Sequence, residues 1–155
     1  MPIFDCQAEA TCMASGFWTP GARRRGAAVR FVTITIFPEF FDSPLKVGLL
    51  GKAVESGLVE FEAVQLRDYT ADRHRSVDDS PFGGGPGMVM MPGPVVDAIE
   101  DVRTRYPTAR RLLLSPRGRR FDQRMAEELA GLDSLVLVCG RYEGVDERVL
   151  EGGFV

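Results

Sequence analysis

The 155-residue sequence has a single histidine, His74, a single tryptophan and an odd three cysteines. One histidine leaves a histidine-built metal centre or a Ser–His dyad almost nothing to work with, and no metal-ligand spacing appears elsewhere. Cys6, Cys12 and Cys139 are too few and too scattered for a disulfide framework, which points to a reducing compartment, the cytoplasm. No run approaches ~18 uninterrupted apolar residues, so no membrane-spanning helix is expected and no membrane partner. Positive charge is not in excess either. The net charge is −3, so an RNA contact would have to come from a local patch. Apolar residues at 45% and charged residues at 26% exclude wholesale disorder and suit one folded domain with a real core. Neither a GxGxxG fingerprint nor a P-loop is present, and there is no internal repeat.

Residues 1–29 lack helical and strand periodicity. Their basic run, Arg23-Arg24-Arg25, follows the apolar residues instead of preceding them, so they do not read as a secretory signal. They are expected to be a disordered extension, with the fold occupying residues 30–155.

From Phe31 onward, strands and helices alternate. Phe31–Ile36 is β-branched and aromatic and predicts a strand. Pro38, Glu39 and Asp42 suit the first turns of a helix, and Leu49–Ser56 predicts a second helical piece ended by Gly57. Val59–Leu66 predicts a strand. Arg67–Gly93 shows no period, and a loop that long inside a small domain is usually functional. Pro94 opens a helix to about Tyr106, Arg111–Ser115 is a short strand, and Asp122 can cap a helix to Ala130. Leu135–Cys139 is a near-continuous apolar run, the mark of a buried parallel strand. A loop at Gly140–Gly144 leads into a helix at Val145–Glu151. The order β-α-β-loop-α-β-α-β-loop-α is that of an α/β fold, a parallel sheet with helices on both faces. Ligands in such folds sit beyond the carboxyl ends of the strands. Ser115–Arg120 and Gly140–Gly144 occupy that position.

The glycine-rich segment Asp78–Met88 is not followed by Lys-Ser or Lys-Thr, so it is no phosphate cradle. It offers instead a backbone free to approach a flat ligand closely. Arg67, Arg73, His74 and Arg75 precede it and suit phosphate contact, although Asp68, Asp72, Asp78 and Asp79 roughly neutralise them, and on charge alone a salt-bridged loop is the more ordinary reading. Gly140 can expose main-chain groups to a base edge. Tyr142 offers an apolar plane and Glu143 a carboxylate. Core packing and a local ion pair are their ordinary alternatives.

Four strings taken together are far more specific than any one: Asp72–Asp79, Pro81–Met88, Leu114–Gly118 and Cys139–Arg148. In this order and spacing, with Phe31–Phe41 ahead of them, the chain resembles the bacterial tRNA (guanine-N1)-methyltransferase family over about residues 30–151. The resemblance implies an α/β domain of the trefoil-knot methyltransferase type, one of the rare exceptions to unknotted chains. It implies methyl transfer from S-adenosylmethionine to N1 of guanosine 37 in tRNA, by a homodimer whose sites use both chains. Leu113, Leu114, Ser115, Pro116 and Gly118 are then expected to line the adenosine side of the cofactor. Gly140, Tyr142, Glu143 and Gly144 would form another wall, with Glu143 holding the target guanine. Arg73, His74, Arg75, Asp78, Gly84, Gly85, Pro86 and Gly87 would meet tRNA and the partner subunit.

The chemistry of guanine N1 needs a base to remove its proton and a cation to stabilise charge on O6. In the family both the aspartate base and the assisting arginine follow the Gly-Arg-Tyr-Glu-Gly motif at a distance this chain does not reach, as does the helical tRNA-binding domain. The expectation is therefore an incomplete cofactor domain, truncated before the knot closes, with no general base of its own. A non-catalytic RNA-binding or dimerisation module is the second reading. It would bind tRNA with strong salt dependence and would not bind S-adenosylmethionine.

Overall fold

A computed structural model describes residues 2–5, 28–81, 84 and 86–153. The elements run β1 (Pro2–Asp5), β2 (Val29–Thr35), α1 (Gly48–Glu55), β3 (Val59–Gln65), β4 (Asp78–Asp79) and β5 (Val89–Met90). They continue with α2 (Pro92–Arg105), β6 (Arg110–Leu114), β7 (Arg119–Arg120), α3 (Gln123–Ala130), β8 (Ser134–Cys139) and α4 (Arg148–Gly153).

The main sheet has the order β3-β2-β8-β6-β1-β7. Its first four strands are parallel: Phe31 pairs with Phe61 on one side and Leu135 on the other, and Leu112 pairs with Leu137. Strand alternation divides the apolar residues between two faces. Val32, Ile34, Val136, Val138 and Leu113 meet Val95, Ile99 and Val102 of α2 and Val149 of α4. Phe31, Leu112, Leu135 and Leu137 meet Met125 and Leu129 of α3. The parallel sheet with helices on both faces is therefore present. The two faces exclude water through ordinary aliphatic contact, worth roughly 25 cal/mol per Å² buried.

The helix starts obey their local signals. Asp122 Oδ1 accepts from the Met125 N–H at 2.9 Å and caps α3. Pro92 opens α2 two residues ahead of the predicted Pro94, where a missing N–H costs no intrahelical bond.

Four expectations are corrected. First, Pro2–Asp5 is a strand, antiparallel to β6 with Ile3 opposite Leu114 and Phe4 opposite Leu113, and it also pairs with β7. The extension was expected to hold no strand. Four residues are too few to display a period, and an open sheet edge recruits backbone whatever its side chains. Residues 6–27 lie outside the described residues. Second, the segment after β2 makes two 3₁₀ turns, Pro38–Phe41 and Pro44–Lys46, in place of one helix. Pro44 prevents a continuous helix there. Third, Arg67–Gly93 is not structureless: a 3₁₀ turn covers Leu66–Tyr69, and β4 and β5 form a two-stranded antiparallel sheet. Fourth, the last helix begins at Arg148 and not at Val145, because Val145 is engaged in a parallel bridge with Met90.

Candidate active site

The parallel register sets the site. Leu114 and Cys139 are partners at the last rung between β6 and β8, so the turns that follow leave the sheet side by side. Together they enclose a cavity of about 880 Å³. Leu113, Leu114, Ser115 and Pro116 line it from the first turn, and Gly140, Tyr142, Glu143 and Gly144 from the second. Gly118 does not line it; its N–H donates to the Ser115 carbonyl at 3.2 Å and closes the first turn.

The second turn is conformationally demanding. Tyr142 is in the left-handed region at φ +59°, uncommon for an aromatic residue and a frequent mark of functional loops. Its side chain is 45% exposed, and its hydroxyl donates to Asp78 Oδ1 at 3.3 Å. At Gly140 a Cβ would meet Val145 Cγ2 at 3.3 Å and the Leu114 carbonyl at 3.7 Å. Glycine thus keeps main chain open to the cavity where the two turns approach each other.

The glycine-rich segment reaches this site as well. Glu143 N–H donates to the Met88 carbonyl at 3.0 Å, and Met90 N–H to the Gly144 carbonyl at 3.0 Å. Gly87, at φ +102°, lies so close that a Cβ there would sit 2.7 Å from Glu143 Cγ. Asp78 and Gly87, expected at a tRNA surface, are therefore next to the cavity wall. Gly84 and Pro86 are exposed, and Gly85 lies outside the described residues.

Arg73, His74 and Arg75 stand apart from the cavity in an exposed turn that Asp72 organises. Its carboxylate accepts from His74 N–H at 3.1 Å and Ser76 N–H at 2.9 Å. Those bonds from Ser76 and His74 outweigh partial desolvation and lower the Asp72 pKa. Arg75 pairs with Asp68, which fits the salt-bridged reading of that residue. Arg73 has no ion pair among the described residues, so its guanidinium is the one of the two that stays open to a ligand.

Charge around the cavity is mixed. Arg117 pairs with Glu147 across it. The Arg148 guanidinium donates to Asp146 at 2.8 and 2.9 Å, and the Arg148 N–H donates at 3.0 Å. These bonds hold the Asp146 carboxyl down at about 2. Cys139 is a free, half-buried thiol whose pKa burial raises, so it is kept protonated and is a poor nucleophile. Among the described residues no cluster of His, Cys, Asp and Glu could hold a metal ion, and no helix is long and apolar enough to cross a membrane.

Sequence reasoning overlooked Pro81, Val89, Val145, Asp146, Glu147, Arg148 and Leu150 as lining residues. Asp146 and Glu147 lie inside the Cys139–Arg148 string and could have been found there. Pro81 opens the Pro81–Met88 string, whereas Val89 arrives through the β4–β5 pairing and carries no local signal.

Known proteins resemble this chain in sequence and in fold. The family model described as tRNA (Guanine-1)-methyltransferase TrmD matches residues 29–154. A tRNA (guanine-N(1)-)-methyltransferase of Oleidesulfovibrio alaskensis is 57% identical over 121 residues, covering 78% of this chain and 28% of that protein. The one from Geobacter sulfurreducens is 52% identical over 121 residues, covering 78% of this chain and 49% of its own. The crystal structure of a tRNA (m1G37) methyltransferase from Aquifex aeolicus superposes with TM-score 0.74 at 35% identity, over 83% of this chain and 58% of that one. The chain thus spans about half the length, or less, of the curated relatives it matches.

Proposed function

The chain belongs to the tRNA (guanine-1)-methyltransferase family, and on that premise we propose that it is the cofactor-binding portion of an enzyme methylating N1 of guanosine 37 in tRNA with S-adenosylmethionine. The observation that carries this is the convergence of the turns after β6 and β8 on one cavity. Its volume of about 880 Å³ is in the range of small-molecule sites. The open main chain at Gly140 suits an adenine edge. The lack of a phosphate cradle suits a nucleoside without phosphates.

When bound, the cofactor supplies an electrophilic methyl group on sulfur. The residues of this chain bind and orient. Leu113–Pro116 and Gly140–Gly144 hold the nucleoside between two turns fixed by a rigid sheet, which lowers the entropic cost of alignment. Glu143, anchored through its own N–H to Met88, offers a carboxylate to the guanine edge. Proton removal from N1 is assigned to none of Asp78, Asp79 or Glu143: the Asp78 carboxylate already accepts the Tyr142 hydroxyl, and Glu143 is given the role of holding the base.

The same reading takes tRNA as partner through Arg73 and its neighbours, a cytoplasmic setting, and a homodimer. Phe37, Phe40, Val47, Leu49 and Leu50 are all exposed within one short stretch of chain, which supports a partner subunit.

Calorimetric titration of S-adenosylhomocysteine into the chain tests the cofactor reading. Saturable 1:1 heat is expected, and none would leave the RNA-binding module as the better reading. For tRNA, Arg73→Ala should weaken binding several-fold and reduce the salt slope by about 1, with cofactor affinity unchanged. Equal losses in both would remove the RNA role.

A further inference from the structure

Met90 makes three hydrogen bonds to the Gly140–Asp146 turn from some fifty positions earlier in the chain. Its N–H donates to the Gly144 carbonyl at 3.0 Å and its carbonyl accepts from the Asp146 N–H at 3.3 Å. Its Sδ accepts from the Arg141 N–H at 3.1 Å, across a sequence separation of 51. The side chain is 1% exposed, packed in the core with α2 and α4. The first two bonds use main chain, and any residue but proline could make the donor among them. The third needs the side chain. Methionine alone offers an acceptor atom on an otherwise apolar, unbranched chain. Leucine fills similar space without a lone pair, and glutamine would carry two N–H donors into the core. The N–H held this way belongs to the Gly140–Arg141 peptide, one residue ahead of Tyr142, whose left-handed conformation persists only where its surroundings enforce it.

We propose that Met90 is a positioning residue: its thioether sulfur fixes the Arg141 peptide, and through it the main chain of Gly140 and Tyr142 that walls the cavity. The sulfur's hold on the turn stands on geometry alone; its effect on a ligand rests on the cofactor reading.

The test compares Met90→Leu with Met125→Leu, a buried methionine in the cluster on the opposite sheet face. Arg141 amide exchange and S-adenosylhomocysteine affinity are measured on both. Met90→Leu should speed Arg141 exchange about tenfold and weaken the ligand roughly fivefold. Met125→Leu should lower the denaturation midpoint and move neither quantity. Selenomethionine exchanges the acceptor atom without disturbing packing, so the Arg141 amide resonance should shift. An unmoved resonance, or unchanged exchange in Met90→Leu, overturns the proposal. So does equal loosening in Met125→Leu, or faster exchange with ligand affinity intact. A wild-type chain that ignores the ligand defeats the cofactor reading instead, and the exchange data still decide whether the sulfur holds the turn.

Discussion

At the end of β6 the chain turns on its own atoms. Gly118 N–H donates to the Ser115 carbonyl at 3.2 Å, and Arg117 N–H to Ser115 Oγ at 3.3 Å. At the end of β8 the turn depends instead on residues some fifty positions earlier: Met88 receives Glu143, and Met90 receives Arg141 and Asp146 while donating to Gly144. The two turns face one cavity. Each closes on a local main-chain bond, Gly144 N–H donating to the Arg141 carbonyl at 3.2 Å in the second. The second is in addition bonded to the β4–β5 pair docked beside it. The region expected to meet tRNA and the region expected to meet the cofactor are therefore mechanically one piece, so a perturbation of the glycine-rich segment should be felt in the cavity wall.

The largest predicted effect comes from Gly140→Val. A Cβ already meets Val145 Cγ2 at 3.3 Å, and valine adds two methyl groups where main chain should face the ligand. S-adenosylhomocysteine affinity should fall about a hundredfold, about 2.7 kcal/mol by calorimetry. Retained affinity would mean that the wall at Gly140 does not touch the ligand.

Gly87→Ala comes next and tests the dependence on a distant segment directly. It combines a strained φ of +102° with a Cβ 2.7 Å from Glu143 Cγ. Denaturant unfolding should show a loss of about 2 kcal/mol. Adding Glu143→Ala should recover part of it, because the clash goes and the backbone strain stays. Strict additivity of the two changes would show that they do not interact. Ser115→Ala is the matching change in the self-contained turn, and it removes one long bond from an exposed N–H. A loss below about 1 kcal/mol is expected. A larger loss would erase the contrast between the turns.

This contrast also explains what could be read from the sequence. Asp122 announced the cap of α3 because a cap is a local bond. The apolar run Leu135–Cys139 announced a central parallel strand because burial on both faces leaves no alternation. The turns at 114–118 and 140–144 followed from strand order. Met90 gave no such signal: in Val89-Met90-Met91 nothing local separates a sulfur that accepts a hydrogen bond from one that fills space. The closeness of Gly87 to Glu143 and the pairing of Pro2–Asp5 with β6 were hidden for the same reason, since each is decided by a segment far along the chain.

The smallest effect concerns the far edge of the second turn, where Met90 still accepts the Asp146 N–H but the Asp146 carboxylate is held locally. Asp146 is held by Arg148, two residues on, through both guanidinium nitrogens and the main-chain N–H. Its carboxyl is lowered from 3.8 to about 2. A lowered carboxyl stabilises the fold fully above its unfolded value, and that contribution fades as pH falls from 3.8 through about 2. Carbonyl chemical shifts should therefore give Asp146 a midpoint near 2. In Arg148→Ala the guanidinium bonds vanish but the N–H bond can remain, so the midpoint should settle between that value and 3.8. If Arg141 amide exchange is unchanged in this variant, the Met90 restraint on the turn does not depend on the local Asp146–Arg148 pair. If it accelerates, the turn loosens as a unit and the separation drawn between distant and local restraint does not extend inside it.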